Sequence, residues 1–69
     1  MWYVALVFAD GEGKTGLASE LHSTVLMSGE VDHPAIEIAW KDEEYVSVYE
    51  FDQIHSIIIQ PSKTSGDTT

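Results

Sequence analysis

Several segments of this chain read as strands, some as continuous apolar runs and some by apolar and polar positions that alternate with a period of two. In "WYVALVFA", residues 2–9, Trp2, Val4, Leu6 and Phe8 share one side of an extended chain and Tyr3, Ala5, Val7 and Ala9 the other. Both sides are apolar, so the strand is expected to be covered on both, one cover being a second copy of the molecule. "DGEGKTG" follows, three glycines in seven residues, which is turn chemistry. In "GLASELHSTVLMSGE" the residues Leu17, Leu21 and Val25 recur every four positions, as in a helix. Leu17, Leu21, Val25 and Met27 also share one parity, with Glu20, His22 and Thr24 turned to water, as in a strand. The β-branched pair Thr24-Val25 and the flanking glycines favour the strand; a short helix over 16–26 is the alternative.

"EVDHP" reads as a loop, since Pro34 bars a helix from running through it. Next, Ile36, Ile38 and Trp40 alternate with Ala35, Glu37 and Ala39, "KDEE" turns, and Val46 and Val48 alternate with Tyr45, Ser47, Tyr49 and Phe51. This predicts a β-hairpin over 35–51. "FDQI" suits one tight helical turn, "HSIIIQ" a strand, and Pro61 its end. The tail 62–69 has no large apolar residue and is expected to be disordered, leaving 1–61 as a single small β domain. Five strands and no long helix predict an all-β fold, either a small five-stranded barrel or a strongly bent antiparallel sheet. "YVSVYEFDQIHSIIIQP" resembles the strand, 3₁₀ turn, strand closure of SH3-like and Sm-like barrels. The resemblance covers the last quarter of the chain and implies a fold rather than a function. Sm-like proteins bind RNA as rings through polar and basic loops, and those basic residues are missing here.

Charge narrows the function. Twelve carboxylates face three lysines and no arginine, for a net charge of −9. Nucleic acid and anionic membranes are bound largely through cations, so neither is an expected partner. A basic protein surface is, because long-range attraction speeds the encounter. The first nine residues lack a basic segment, and Asp10 follows at once, so they are read as part of the mature protein and the location as cytoplasmic.

Candidate chemistry is sparse. Gly13-Lys14-Thr15 ends like a phosphate-binding loop, but the first glycine of that motif falls on Phe8, and Asp10 and Glu12 repel phosphate. His22, His33 and His55 are scattered, with Asp32 beside one and Asp52 three residues before another, and no local ligand spacing. No metal or other cofactor is expected. With no cysteine and no recognisable nucleophile–base spacing, a non-enzymatic role is expected. The richest stretch is "KDEEYVSVYEFD". If Val46 and Val48 point to the core, Tyr45, Tyr49 and Phe51 form an outer aromatic stripe beside Asp42, Glu43 and Glu44; otherwise the aromatics are core and the acids a solvated turn. The expectation is an acidic protein-binding module, a small regulator or inhibitor of the phage or mobile-element kind, that uses these six residues on a larger basic protein. The alternative is a homo-oligomeric small β-barrel, with Tyr3 and Val7 at the contact and a small molecule between subunits.

Overall fold

The computed structural model describes residues 1–62. Five strands run as β1 Trp2–Phe8, β2 Gly13–Ser28, β3 Val31–Trp40, β4 Ser47–Glu50 and β5 Ile54–Pro61, with a 3₁₀ turn, Phe51–Gln53, between the last two. They form one antiparallel sheet in the order β4-β3-β2-β1-β5. The sheet is not closed, since β4 and β5 are its two edges. It is nevertheless bent. Strands β1 and β4 are three steps apart, which in a flat sheet is roughly 14 Å. Yet the rings of Phe8 on β1 and Tyr49 on β4 have centroids 5.5 Å apart.

The concave side holds the core. Val4, Leu6, Ala18, Ile36, Ile38 and Trp40 are buried there, and Phe8, Leu21, Tyr49, Ile54 and Ile57 pack against them. Every strand contributes. Gly16 lies directly under Trp40, where a Cβ would come within 3.2 Å of the indole.

β2 is a single strand of 16 residues, and the short helix over 16–26 does not form. β1 pairs with its first part, Gly13–Ala18, and β3 with the remainder, Ala18–Ser28, and this pairing outweighs the fourfold recurrence of Leu17, Leu21 and Val25. The register with β3 shifts between Ala18 and Glu20. This bulge at Ser19 reverses the side-chain alternation. Leu17, opposite Tyr3, is therefore on the convex side, whereas Leu21, opposite Ile38, is on the concave side. The single face drawn through both leucines is corrected accordingly.

"EVDHP" is not a loop either. β3 begins at Val31, and Ser28 pairs with Val31 across a two-residue turn, Gly29-Glu30. Gly29 has φ +65°, a left-handed value that glycine adopts without strain, and the positive–negative φ order suits a type II′ hairpin. Pro34 is tolerated because β4 ends opposite Ala35, so that β3 is an edge strand at the proline. The β2–β3 hairpin extends past its neighbours, and the described residues measure 49 Å by 22 Å by 19 Å. Val25, Met27 and Val31 are exposed on it.

The glycine-rich segment is a tight turn. Phe8 N–H donates to Glu12 C=O, Gly11 N–H to Phe8 C=O, and Glu12 N–H to the Asp10 carboxylate. Gly13 already belongs to β2. At the other end, Ser62 N–H donates to Met1 C=O, and the rest of the expected tail, 63–69, lies outside the described residues. Among the described residues no helix is long and apolar enough to cross a membrane.

Candidate functional site

The acidic loop 41–46 leaves β3 just after Trp40. Its first turn is anchored: Lys41 N–H donates to Leu17 C=O and Glu43 N–H to Trp40 C=O. Asp42, Glu43, Glu44, Tyr45 and Val46 are all exposed, Tyr45 at 80% and Val46 at 56%. Glu43 accepts a hydrogen bond from the Lys14 ammonium, which sits 5.1 Å from the centroid of the Trp40 ring. The bond from Glu43 holds the Lys14 pKa above its ordinary value of 10.5. Lys14, the residue that made the turn look like a phosphate loop, is thus a brace between β2 and the acidic loop.

The outer stripe of Tyr45, Tyr49 and Phe51 does not exist as a single face. β4 pairs Tyr49 with Ile36 and Ser47 with Ile38, which puts both on the concave side. Tyr49 stacks against Phe8, and its hydroxyl accepts from the Trp40 indole N–H at 3.2 Å. Val48, on the other parity, is exposed, as is Val46, so the valines do not point to the core. The reason is reach. Across the bend a ring spans the gap between Trp40 and Phe8 that a valine leaves empty. Tyr45 and Phe51 remain exposed on either side of β4.

A second surface is the convex side of β1 with its neighbours. Three rows cross it: Leu17, Tyr3 and Gln60; Thr15, Ala5 and Ile58; Gly13, Val7 and Ser56. None of the nine is charged, in a chain with twelve carboxylates. Tyr3 and Val7 are each more than a third exposed and Ile58 more than half.

The histidines do not converge. His22 makes an exposed contact with Glu20, and His55 is exposed on β5. His33 instead meets Glu50, with Nδ1 3.3 Å from the carboxylate, and Asp52 stands beside both. Asp52 thus keeps company with His33 on β3, not with His55, its neighbour in sequence. Tertiary packing explains it. β4 ends with Glu50 opposite Ala35, and the 3₁₀ turn that follows packs against β3, which brings Asp52 to His33.

An open cleft of about 400 Å³ lies where β1 meets the 3₁₀ turn, lined by Phe8, Ala9, Asp10, Asp52 and Gln53. Ala9 N–H donates to Gln53 C=O across its floor, and the Asp10 carboxylate is already engaged with Glu12 N–H. The cleft groups two acids without a base or nucleophile beside them among its lining residues.

No protein family, curated protein or solved structure matches this chain.

Proposed function

We propose that this protein is a non-enzymatic acidic binding module that docks through the 41–46 loop on a basic surface of a larger protein, as a small regulator or inhibitor does. The observation that carries the reading is the exposure of Tyr45 and Val46 in the middle of an acidic loop. An aromatic and a valine held largely in water contribute little to the fold, whereas tyrosine at an interface buries a large area at little entropic cost. Asp42, Glu43 and Glu44 set a negative rim beside it, and the net charge of −9 extends that field. Phe51 supports the patch from the far end of β4. Tyr49 braces it from behind, against Trp40 and Phe8.

Charge and anchor separate kinetically. Steering charges act on association and are screened by salt, while a buried aromatic acts on dissociation. The test captures a partner with the tagged chain at low salt, identifies it, and measures binding rates with the purified pair. Neutralising Asp42, Glu43 and Glu44 to the amides is expected to slow association and flatten its salt dependence. Tyr45→Ala is expected to speed dissociation by roughly 30-fold, the equivalent of about 2 kcal/mol, with the salt dependence unchanged. Folded variants that bind like the parent exclude this loop as the interface.

A second reading rests on a different observation, the uncharged convex face around Ala5. Like-charged copies of the chain repel, and they do so least across a face without carboxylates. This favours self-association through Tyr3, Val7 and Ile58, with a small molecule held between subunits.

A further inference from the structure

We propose that His33, Glu50 and Asp52 form a binding site for a divalent transition-metal ion of the zinc class. One donor atom from each lies within 4.8 Å of the other two. The three come from separate elements: β3, the last residue of β4, and the 3₁₀ turn. Their convergence is set by the backbone. β3 and β4 pair as far as Ala35 and Glu50, and the 3₁₀ turn that follows β4 brings the Asp52 carboxylate within reach of His33 and Glu50.

The geometry fits a small cation. Bonds of about 2.1 Å to nitrogen and oxygen in a tetrahedral shell put donors about 3.4 Å apart. His33 Nδ1 and Glu50 Oε1 are already at 3.3 Å. Asp52 is exposed, and its nearest oxygen already lies within 4.8 Å of both other donors. His33 and Glu50 are about two-thirds buried, which limits their own motion.

Electrostatics favour a cation here. Among the described residues no lysine lies within ion-pair distance of Glu50 or Asp52, and His33 is the one ion-pair partner of Glu50. Two carboxylates this close repel when both are ionised, and a dication relieves that repulsion. One imidazole nitrogen with two carboxylate oxygens suits zinc or a neighbouring divalent metal better than calcium or magnesium, which prefer oxygen alone. Water completes the shell on the exposed side. The ion would tie β3, β4 and the 3₁₀ turn together at the open end of the sheet.

The experiment is calorimetric titration of the purified full-length chain with zinc chloride, with histidine ring resonances followed by NMR in parallel. The parent is expected to bind one equivalent with a Kd below about 100 μM, to melt at least about 4 °C higher with saturating zinc, and to show shifted His33 ring signals. His33→Ala and Glu50→Gln are each expected to weaken binding by at least about tenfold. His22→Ala, which removes the other His–carboxylate contact, is expected to leave it within twofold. Should His33→Ala not fold, Glu50→Gln and Asp52→Asn, which keep side-chain shape, decide the matter. The proposal is overturned if the parent binds no zinc at 1 mM, if His33→Ala binds as the parent does, or if zinc moves the His22 or His55 signals and leaves His33 in place.

Discussion

Replacing Tyr49 tests whether β4 presents its tyrosine to the core or to a partner. Its hydroxyl accepts from the Trp40 indole, so Tyr49→Phe leaves a partly buried N–H without that partner, at a cost of about 1 kcal/mol. Tyr49→Ala also removes the ring that packs on Phe8 and spans the bend between β1 and β4. Full burial would make that loss about 3–5 kcal/mol; Tyr49 is only partly buried, and about 2–3 kcal/mol is expected. A domain of this length holds about 3–10 kcal/mol in all, so the alanine variant gives up a substantial share of it. Tyr45→Ala, at 80% exposure, is expected to cost less than about 0.5 kcal/mol. The assay is urea unfolding followed by tryptophan fluorescence, for which Trp40 is a buried reporter, with melting temperatures alongside. In melting temperature, Tyr49→Phe is expected to lose roughly 4–8 °C, and Tyr45→Ala no more than about half that. A Trp40→Phe, Tyr49→Phe double-mutant cycle isolates the hydrogen bond and is expected to return a coupling of about 1 kcal/mol. If Tyr49→Ala unfolds within 0.5 kcal/mol of the parent, the ring is not structural and the account of the bend fails.

Gly16→Ala sets a Cβ 3.2 Å from a Trp40 ring already fixed by Tyr49, and is expected to destabilise by about 1–3 kcal/mol in the same assay; a neutral result means the indole can shift. Lys14→Gln is expected to cost less than about 1 kcal/mol near pH 7, because the pair with Glu43 is more than a third exposed; ATP or GTP affinity in the parent that this variant loses would overturn the reading of the loop as a plain turn. The folded-state pKa of Lys14 is raised, so its contribution is complete below 10.5 and disappears as pH climbs through the higher folded value; the parent is expected to lose that increment in alkali and Lys14→Gln to show no such loss. Sedimentation at about 10 μM is expected to give a dimer or larger assembly that Val7→Glu dissociates without unfolding, and a monomeric parent mass ends the self-association reading.

Local pattern revealed most of the strand content. The apolar, β-branched and aromatic run at 2–8 and the period-two alternation in 35–40 are local properties of the chain, and Gly11, Gly29 and Pro61 mark where extended segments end, whereas 31–34 reads as a loop and 16–26 stays open between strand and helix. The strand, 3₁₀ turn, strand order at the end was legible for the same reason, since Phe51-Asp52-Gln53 has room for one turn and no more. Overall charge likewise needs no fold, and it excluded nucleic acid and anionic membranes from the expected partners. Facing was another matter. Which parity of β4 points inward depends on the width of the gap between Trp40 and Phe8, and that gap exists only once the sheet has bent. The bulge at Ser19 was hidden too, because one added residue reverses every later side chain in β2 and leaves no mark in composition. The meeting of His33 with Glu50 and Asp52, residues 17 and 19 positions apart from it, follows from strand pairing and the packing of the 3₁₀ turn, which no local spacing encodes. Alternation decides that a segment is a strand, but pairing and curvature decide which of its two sides becomes core and which residues from distant strands come to share a site.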